Sequence, residues 1–244
     1  MTGYMTNHGL SDGFGSQFQH IICCILIAYK MGHTFVYNPL SIMEHNYDND
    51  PAFLEKMENL MNIKPYFTNR NDESLMNKHI ESWAMNAKYT IDANVDAFAT
   101  DEFLERIKTM FWANKSHDVF KNEKINVAVH IRRPNNHDSR IQGADTPDLF
   151  YINAMNRIRT EYAGKDLQFH IYSQGDITHF DMYKAEDVVF HIDQDLCSTF
   201  IELVASDVLV TSFSSLSYIA GYLTDGVVYY HNFWHPPRSK WILL

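Results

Sequence analysis

Short apolar runs alternate with amphipathic stretches along the second half of this 244-residue chain. The apolar runs predict five strands, at residues 125–131, 167–172, 187–192, 207–211 and 226–230. The stretches between them predict helices at residues 148–162, 177–184, 198–206 and 215–223. Strands that are apolar on both faces and alternate with helices are typical of a parallel sheet covered on each side. This half therefore predicts a doubly wound α/β domain.

The first half of the chain predicts mostly helix. A strongly apolar helix is predicted at residues 15–31, followed by one short strand at 33–37. Amphipathic patterns predict further helices at residues 51–61, 72–87 and 100–112. The polar stretch 114–124 breaks the periodicity, so we place the domain boundary there and predict domains at 1–122 and 123–244. The tail 231–244, which contains Pro236 and Pro237, is expected to be irregular.

Composition and charge narrow the class of protein. Hydrophobic residues make up 45% of the chain and charged residues 20%, which is typical of a folded globular protein. Lys and Arg number 20 against 30 Asp and Glu, a net charge of -10, which argues against nucleic acid or an anionic membrane as a partner. The three cysteines form no disulfide framework or zinc motif. The longest apolar run, residues 21–28, is too short to span a bilayer, so we expect a soluble, cytoplasmic protein.

Three motifs have side chains suited to binding an anionic ligand. The first is Asp12-Gly13-Phe14-Gly15-Ser16-Gln17, at the start of the apolar helix. Its glycines allow close backbone approach, and a helix N-terminus favours negative charge. The alternative is a glycine turn that only begins a core helix. The motif is not a dinucleotide-binding fingerprint, because its spacing differs and no strand is predicted before it.

The second motif is residues 129–135 (VHIRRPN), at the carboxyl end of the first predicted strand of the second half. Ligands of open α/β sheets bind at carboxyl ends of strands, and Arg pairs bidentately with phosphate. His130, Arg132 and Arg133 are therefore candidates for a phosphate site. The alternative is that one or both arginines form ordinary ion pairs with the many carboxylates.

The third motif is Ser212-Phe213-Ser214-Ser215-Leu216-Ser217, where a buried strand runs into a helix. Ser214 or Ser215 can cap that helix, and the same N–H and hydroxyl groups can hold a phosphate. A simple N-cap is the alternative. No Gly-x-Ser-x-Gly turn is present, so a hydrolase nucleophile is not indicated. Together the second and third motifs predict a cleft suited to a diphosphate.

These motifs resemble the GDP-fucose-dependent fucosyltransferases, which include the alpha-1,2-, alpha-1,6- and protein O-fucosyltransferases. The resemblance rests on His-x-Arg-Arg at 130–133, on YSQGD at 172–176, on residues 200–215 (FIELVASDVLVTSFSS) and on the glycine turn. It implies a GT-B-like, metal-independent, inverting glycosyltransferase. A Rossmann-like second domain would bind the nucleotide sugar, and a smaller, mostly helical α/β first domain would lie on the acceptor side. The donor site that it implies comprises His130, Arg132, Arg133, Ser16, Gln17, Ser173, Thr199, Ser214 and Ser215.

Within that resemblance the roles differ. His130 and Arg132 would contact the nucleotide and its β-phosphate, and Ser215 would bind phosphate. Arg133 would support the loop or the sugar. The sequence also departs from the family: Asn135 stands where Asp is common, Ser16 where Asn is usual, and Thr199 where some members have an acidic residue that reads the base. Fucose from GDP-fucose is the favoured donor group, and another donor such as UDP-xylose is the alternative.

An inverting reaction needs a base to take the proton of the acceptor hydroxyl. Asp138, which follows the arginines, and Asp12, which adjoins the glycine turn, are the candidates; either can equally be a solvated loop carboxylate. With Arg132 they form the predicted catalytic set. No cofactor or metal is expected, and the predicted partners are a nucleotide-sugar donor and a glycan acceptor.

Four other interpretations remain open. Asp193-Gln194-Asp195 follows a predicted strand, which is a suitable context for a metal-dependent glycosyltransferase. His231 and His235 are four residues apart and could suggest a metal site, but prolines follow at once and no helix is indicated. The chain could also be a non-catalytic nucleotide- or carbohydrate-binding module, or an interaction domain in which the arginines only form ion pairs.

Overall fold

A computed structural model describes residues 3–84, 86–133 and 146–244. The chain divides into two compact units, Met1–Lys115 and Ser116–Leu244. The division lies within the polar stretch 114–124, where the hydrophobic periodicity stops. Within the described ranges, no helix has both the length and the apolar character that crossing a lipid bilayer requires.

The first unit is built on a three-stranded parallel sheet with strand order β2-β1-β3. Its elements, in chain order, are β1 (Tyr4–Asn7), α1 (Phe14–Met31), β2 (Thr34–Val36), α2 (Phe53–Met61), β3 (Ile80–Trp83), α3 (Asn86–Asp92), α4 (Val95–Phe98) and α5 (Asp101–Trp112). Short 3-10 turns at Lys64–Tyr66 and Glu73–Leu75 separate α2 from β3.

Helix α1 forms the core of this unit. Most of its side chains are buried, because the run from Ile21 to Ala28 is apolar all round and packs against the sheet and against α3 and α5. The helix ends at Gly32, whose φ of 66° is the left-handed conformation that glycine adopts without strain. The predicted helix at 15–31 is thus confirmed, one residue longer at its start.

Two strands of the first unit were not predicted. The helix predicted at 72–87 is wrong, because residues 80–83 pair with β1 as strand β3 and only Asn86–Asp92 is helical there. The statement that no strand precedes the glycine turn is also wrong, since β1 ends at Asn7. Both strands have four residues, so alternation within them is too short to read, and the pairing between them outweighs local propensity.

The second unit contains a six-stranded parallel sheet, which confirms the predicted α/β class. Its strand order is β6-β5-β4-β7-β8-β9. The elements are β4 (Ile125–His130), α6 (Asp148–Glu161), β5 (Leu167–Ser173), a 3-10 helix (Ile177–Tyr183), β6 (Val188–Ile192), α7 (Leu196–Ala205), β7 (Val208–Val210), α8 (Ser215–Leu223), β8 (Val227–Tyr230) and β9 (Ile242–Leu243). Strand β9 lies in the tail that was expected to be irregular, where two residues pair with β8.

The order of these strands positions the site. The chain adds strands outward from β4 to β6 on one side, and then from β7 to β9 on the other. The order therefore reverses between β4 and β7, which is the switch point at which doubly wound sheets bind ligands. Val127 and Val129 of β4 pack in a core with Tyr151 and Ile158 of α6. Since side chains alternate along a strand, His130 points to the opposite face.

Gly226 lies where β7 and β8 begin, and replacing it tests the packing at that point. A Cβ at this residue would lie 2.3 Å from the carbonyl oxygen of Ser206 and 2.6 Å from that of Asp207, and backbone cannot move aside cheaply. We predict that Gly226→Ala lowers the free energy of unfolding by about 2–3 kcal/mol, measured by urea denaturation. Gly9→Ala is the control, because its Cβ would meet only ordinary contacts of 3.8 Å or more. Equal stability of the two variants would contradict the packing described here.

Candidate functional site

The carboxyl ends of β4 and β7 are joined by a hydrogen bond between side chains. His130 is the last residue of β4, and Ser212 follows β7 by two residues. The Nδ1 atom of His130 lies 2.8 Å from the Oγ atom of Ser212, and both residues are buried. The second and third sequence motifs therefore meet at the switch point.

The serine-rich turn continues that network into helix α8. The backbone N–H of Ser212 donates to the Oγ of Ser217 over 3.0 Å. The Oγ of Ser214 accepts from the N–H of Leu216 over 3.2 Å, so Ser214 is the N-cap, one of the two predicted candidates. Ser215, the first residue of the helix, is only half-buried. The first turn of α8 itself has no acidic side chain, and a helix N-terminus has a partial positive charge.

Burial sets the charge state of His130 at the switch point. Burial, and second the nearby guanidinium of Arg132, lower the pKa of His130 to about 3. The imidazole is therefore neutral at pH 7 and acts as a hydrogen-bonding group. Arg132 is half-buried and keeps its charge, as arginine does throughout the physiological range. Among the described residues, the switch point thus combines the cation of Arg132 with the N-terminus of α8 and the hydroxyl groups of the serine turn.

Arg133 makes contacts of a different kind. Its guanidinium donates to the carbonyl oxygen of Thr146 over 2.8 Å and forms an ion pair with Asp148 at the start of α6. The hydroxyl of Tyr183 donates to the same Asp148 carboxylate over 2.6 Å. These contacts hold together the two ends that flank residues 134–145.

Two other predicted donor residues lie on neighbouring elements. The Oγ of Ser173, at the end of β5, donates to the carbonyl oxygen of Ile131 over 2.7 Å and so fixes the backbone just before Arg132. Thr199 lies half-buried in the first turn of α7, where its N–H donates to the carbonyl of Asp195 over 3.0 Å. The position at which the resemblance suggests an acidic side chain is thus a threonine at the start of a helix.

The carboxylates of the Asp-x-Asp pattern take part in backbone contacts. Asp193 accepts from the N–H of Gly175 over 3.0 Å, and Asp195 caps α7 by accepting from Cys197 and Ser198. Among the residues that the structure describes, no three His, Cys, Asp or Glu side chains lie together in a way that could hold a metal ion.

The first motif lies in the first unit, after β1. The hydroxyl of Ser16 donates to the Oδ2 atom of Asp12 over 2.7 Å, and the Nζ atom of Lys88 donates to the Ser16 oxygen over 2.7 Å. Gln17 is buried, and its side-chain amide donates to the carbonyl oxygens of Asp12 and Ile42. The contacts described for Gln17 are thus structural. Asp138, the other predicted base, lies outside the described residues.

Sequence reasoning missed Ser212, Ser217 and Lys88. The two serines lie in a motif that was recognised, but the turn alone does not show which hydroxyl faces β4. Lys88 was missed because the helix predicted at 72–87 ended before it. A signal existed: the apolar Ile91 lies three residues after Lys88, so a helix continued to residue 92 places Lys88 beside a residue that is buried within α3.

Comparison with known proteins gives similarities to solved structures only, since neither a protein family nor a curated protein matches the sequence. The fucosyltransferase NodZ from Bradyrhizobium aligns over 92% of this chain and 94% of its own at 12% identity, with a TM-score of 0.42. NodZ alpha-1,6-fucosyltransferase soaked with GDP-fucose aligns over 91% and 93% at 10% identity, with a TM-score of 0.45. A mutant of Arabidopsis thaliana FUT1 in complex with GDP aligns over 99% and 72% at 8% identity, with a TM-score of 0.46.

The strand pairing and the site define the class of protein. The chain is an α/β protein with two parallel sheets, and its second unit is a doubly wound domain whose switch point contains His130, Ser212 and Arg132.

The neutral state of His130 predicts a pH-dependent stability. Its pKa is about 3 when folded against about 6.5 when unfolded, so between these values the unfolded chain binds more protons and stability falls as the pH falls. The slope for one such group approaches about 1.4 kcal/mol per pH unit. We predict that His130→Gln reduces the slope of unfolding free energy against pH between pH 6 and about 4. His20 and His170, whose pKa values are lowered to about 4, remain in both proteins. An unchanged slope in urea titrations would show that His130 is not buried as a neutral group.

Proposed function

We propose that the protein is a glycosyltransferase that moves a sugar, preferably fucose, from a nucleoside diphosphate sugar to a glycan hydroxyl. In this proposal the enzyme has a GT-B-like arrangement and works with inversion and without a metal. The second unit is its Rossmann-like donor domain, and the first unit supplies the acceptor side. The His-x-Arg-Arg, YSQGD and serine-turn motifs support the proposal as a set.

The observation that carries the proposal is the network at the switch point. His130 and Ser212 join the ends of β4 and β7, and Ser217 fixes the turn that starts α8. A diphosphate would have suitable donors in the N-terminus of α8, the hydroxyls of the serine turn and Arg132. Since the protein has a net charge of -10, a local cation at this point favours a specific anionic ligand.

The mechanism follows from where negative charge develops. When the bond between the sugar and the diphosphate breaks, charge accumulates on the departing phosphate oxygens. Arg132 and the N–H groups of Ser215 and Ser217 would stabilise that charge, since donors that are in place before the reaction need no reorganisation. Ser215 is the hydroxyl that we assign to the β-phosphate. The acceptor hydroxyl loses its proton to a carboxylate, for which Asp12 and Asp138 are the candidates.

The nucleoside of the donor is the least constrained part of the proposal. Thr199 has no charge with which to pair the N–H groups of guanine. A donor with another base, such as UDP-xylose, is therefore a second candidate. A non-catalytic binding module would keep nucleotide affinity but show neither transfer nor donor hydrolysis, so an activity assay separates it from the enzyme.

Arg132 provides the test of the phosphate site. We predict that GDP or UDP raises the thermal stability of the wild type, because ligand at 100 times its dissociation constant adds about 2.7 kcal/mol. Arg132→Ala should remain folded and lose this shift. Arg157→Ala is the control, since Arg157 is an exposed residue that pairs with Glu161 on α6. A folded Arg132→Ala variant with the wild-type shift would exclude the site assignment.

Thermal-shift measurements with a wider set of ligands distinguish the possible donors and test whether a metal is needed. GDP and GDP-fucose should give larger shifts than UDP, UDP-xylose and UDP-glucose if fucose is the donor group. EDTA should change neither the shift nor transfer activity. A strict requirement for Mn²⁺ would instead support the Asp193 and Asp195 interpretation.

A further inference from the structure

Lys88 and two residues of the glycine turn form a polar cluster in the first unit. We call Asp12, Ser16 and Lys88 the Lys88 cluster. Asp12 and Ser16 follow β1, whereas Lys88 lies in α3, directly after β3. Because β1 pairs with β2 on one side and with β3 on the other, the strand order reverses between β1 and β3. The Lys88 cluster therefore lies at the carboxyl-end switch point of the smaller sheet, where α/β folds place ligand sites.

Lys88 is buried to an extent that is rare for lysine. Only 2% of its surface is exposed, and burial lowers its pKa. A buried ammonium costs several kcal/mol of solvation, and an apolar residue of the same size often stabilises a fold as well. Stability alone is therefore a weak reason for a lysine at this position.

The groups that face Lys88 show which side chains can balance the charge of its ammonium. On α1, burial raises the pKa of the Cys23 thiol to about 12 and that of Cys24 in the same direction, so both are neutral. Burial also lowers the pKa of His20 to about 4, and His8 lies near His20. The remaining charges that act on Lys88 are the carboxylates of Asp12 and, within α3, Asp92.

Hydrogen-bond directions within the Lys88 cluster are fixed by chemistry. A carboxylate only accepts, so the single hydroxyl hydrogen of Ser16 points to Oδ2 of Asp12. The Ser16 oxygen must then accept from the ammonium of Lys88, which only donates. Lys88 thus fixes the rotation of the Ser16 hydroxyl, and that hydroxyl fixes the plane of the Asp12 carboxylate.

The backbone beneath Asp12 is fixed as well. The side-chain amide of Gln17 donates to the carbonyl of Asp12 over 2.7 Å and to that of Ile42 over 2.8 Å. Asp12 and Ser16 are only half-buried, in contrast to Lys88 and Gln17 beneath them. The Asp12 carboxylate is therefore held by its own unit and is partly accessible, so it is available to accept a proton from a bound hydroxyl.

We propose that Lys88 is a positioning residue of the acceptor site and that, acting through Ser16, it orients Asp12 as the base. This inference rests on the proposed function. The acceptor hydroxyl gives its proton to the Asp12 carboxylate while its oxygen bonds to the anomeric carbon of the donor sugar. The bond from that carbon to the diphosphate breaks, and the electron pair leaves with the phosphate oxygen. Lys88 keeps its proton throughout.

Kinetics of four variants test the proposal. Lys88→Met and Ser16→Ala should each lower kcat about 100-fold, the lower range for a general base, and change the KM for the acceptor less than about threefold. Combining the two should cost no more than either alone, because both interrupt one chain of hydrogen bonds. Ser16→Thr keeps a hydroxyl and should recover at least tenfold of the loss. Independent, multiplied losses in the double variant would overturn the proposal.

A matched control and a second readout separate positioning from folding. Lys115→Met removes another partly buried lysine of the first unit, which donates to the carbonyl of Phe111, and should leave kcat unchanged. In ¹H–¹⁵N spectra the Lys88 ammonium should give a signal protected from solvent exchange, and Ser16→Ala should abolish that protection. Protection that survives in Ser16→Ala overturns the inference alone. A wild type that binds donor yet transfers no sugar overturns the proposed function and, with it, the role of Lys88 in transfer, whatever the spectra show.

Discussion

The hydrogen bond between His130 and Ser212 is the contact on which the site depends. It joins the ends of the strands on either side of the switch point, where burial keeps the imidazole of His130 neutral. From Ser212 the network continues to Ser217 and so fixes the turn that begins α8. Arg132 lies two residues beyond His130, so the cation of the site directly follows the strand that anchors the turn.

The two units use one structural principle twice. Each has a parallel sheet whose strand order reverses beside its first strand, and each has polar side chains at the carboxyl ends there. In the second unit the buried group is a neutral histidine, and the charge is on the half-buried Arg132. In the first unit the buried group is the cation Lys88, and the carboxylate of Asp12 is accessible. In our proposal the site of the second unit therefore takes the anionic diphosphate, and the Lys88 cluster takes the acceptor hydroxyl.

Much of the second unit could be predicted from sequence, because its strands are apolar on both faces and alternate with helices. The first unit shows where that reasoning fails: β1 and β3 have four residues each, and only their pairing makes them strands. For the site, chain position gave His130, Arg132 and the serine turn. It could not separate Arg132 from Arg133, since the ion pair with Asp148 depends on a contact 15 residues away in sequence.

The most direct test of this account is a crystal structure with a bound nucleoside diphosphate, obtained with GDP and with UDP. The account predicts that the β-phosphate lies at the start of α8, within hydrogen-bonding distance of the Ser215 hydroxyl and the Arg132 guanidinium. His130 and Ser212 should keep their hydrogen bond in that complex. A diphosphate bound away from the ends of β4 and β7, or no binding of either nucleotide, would contradict it.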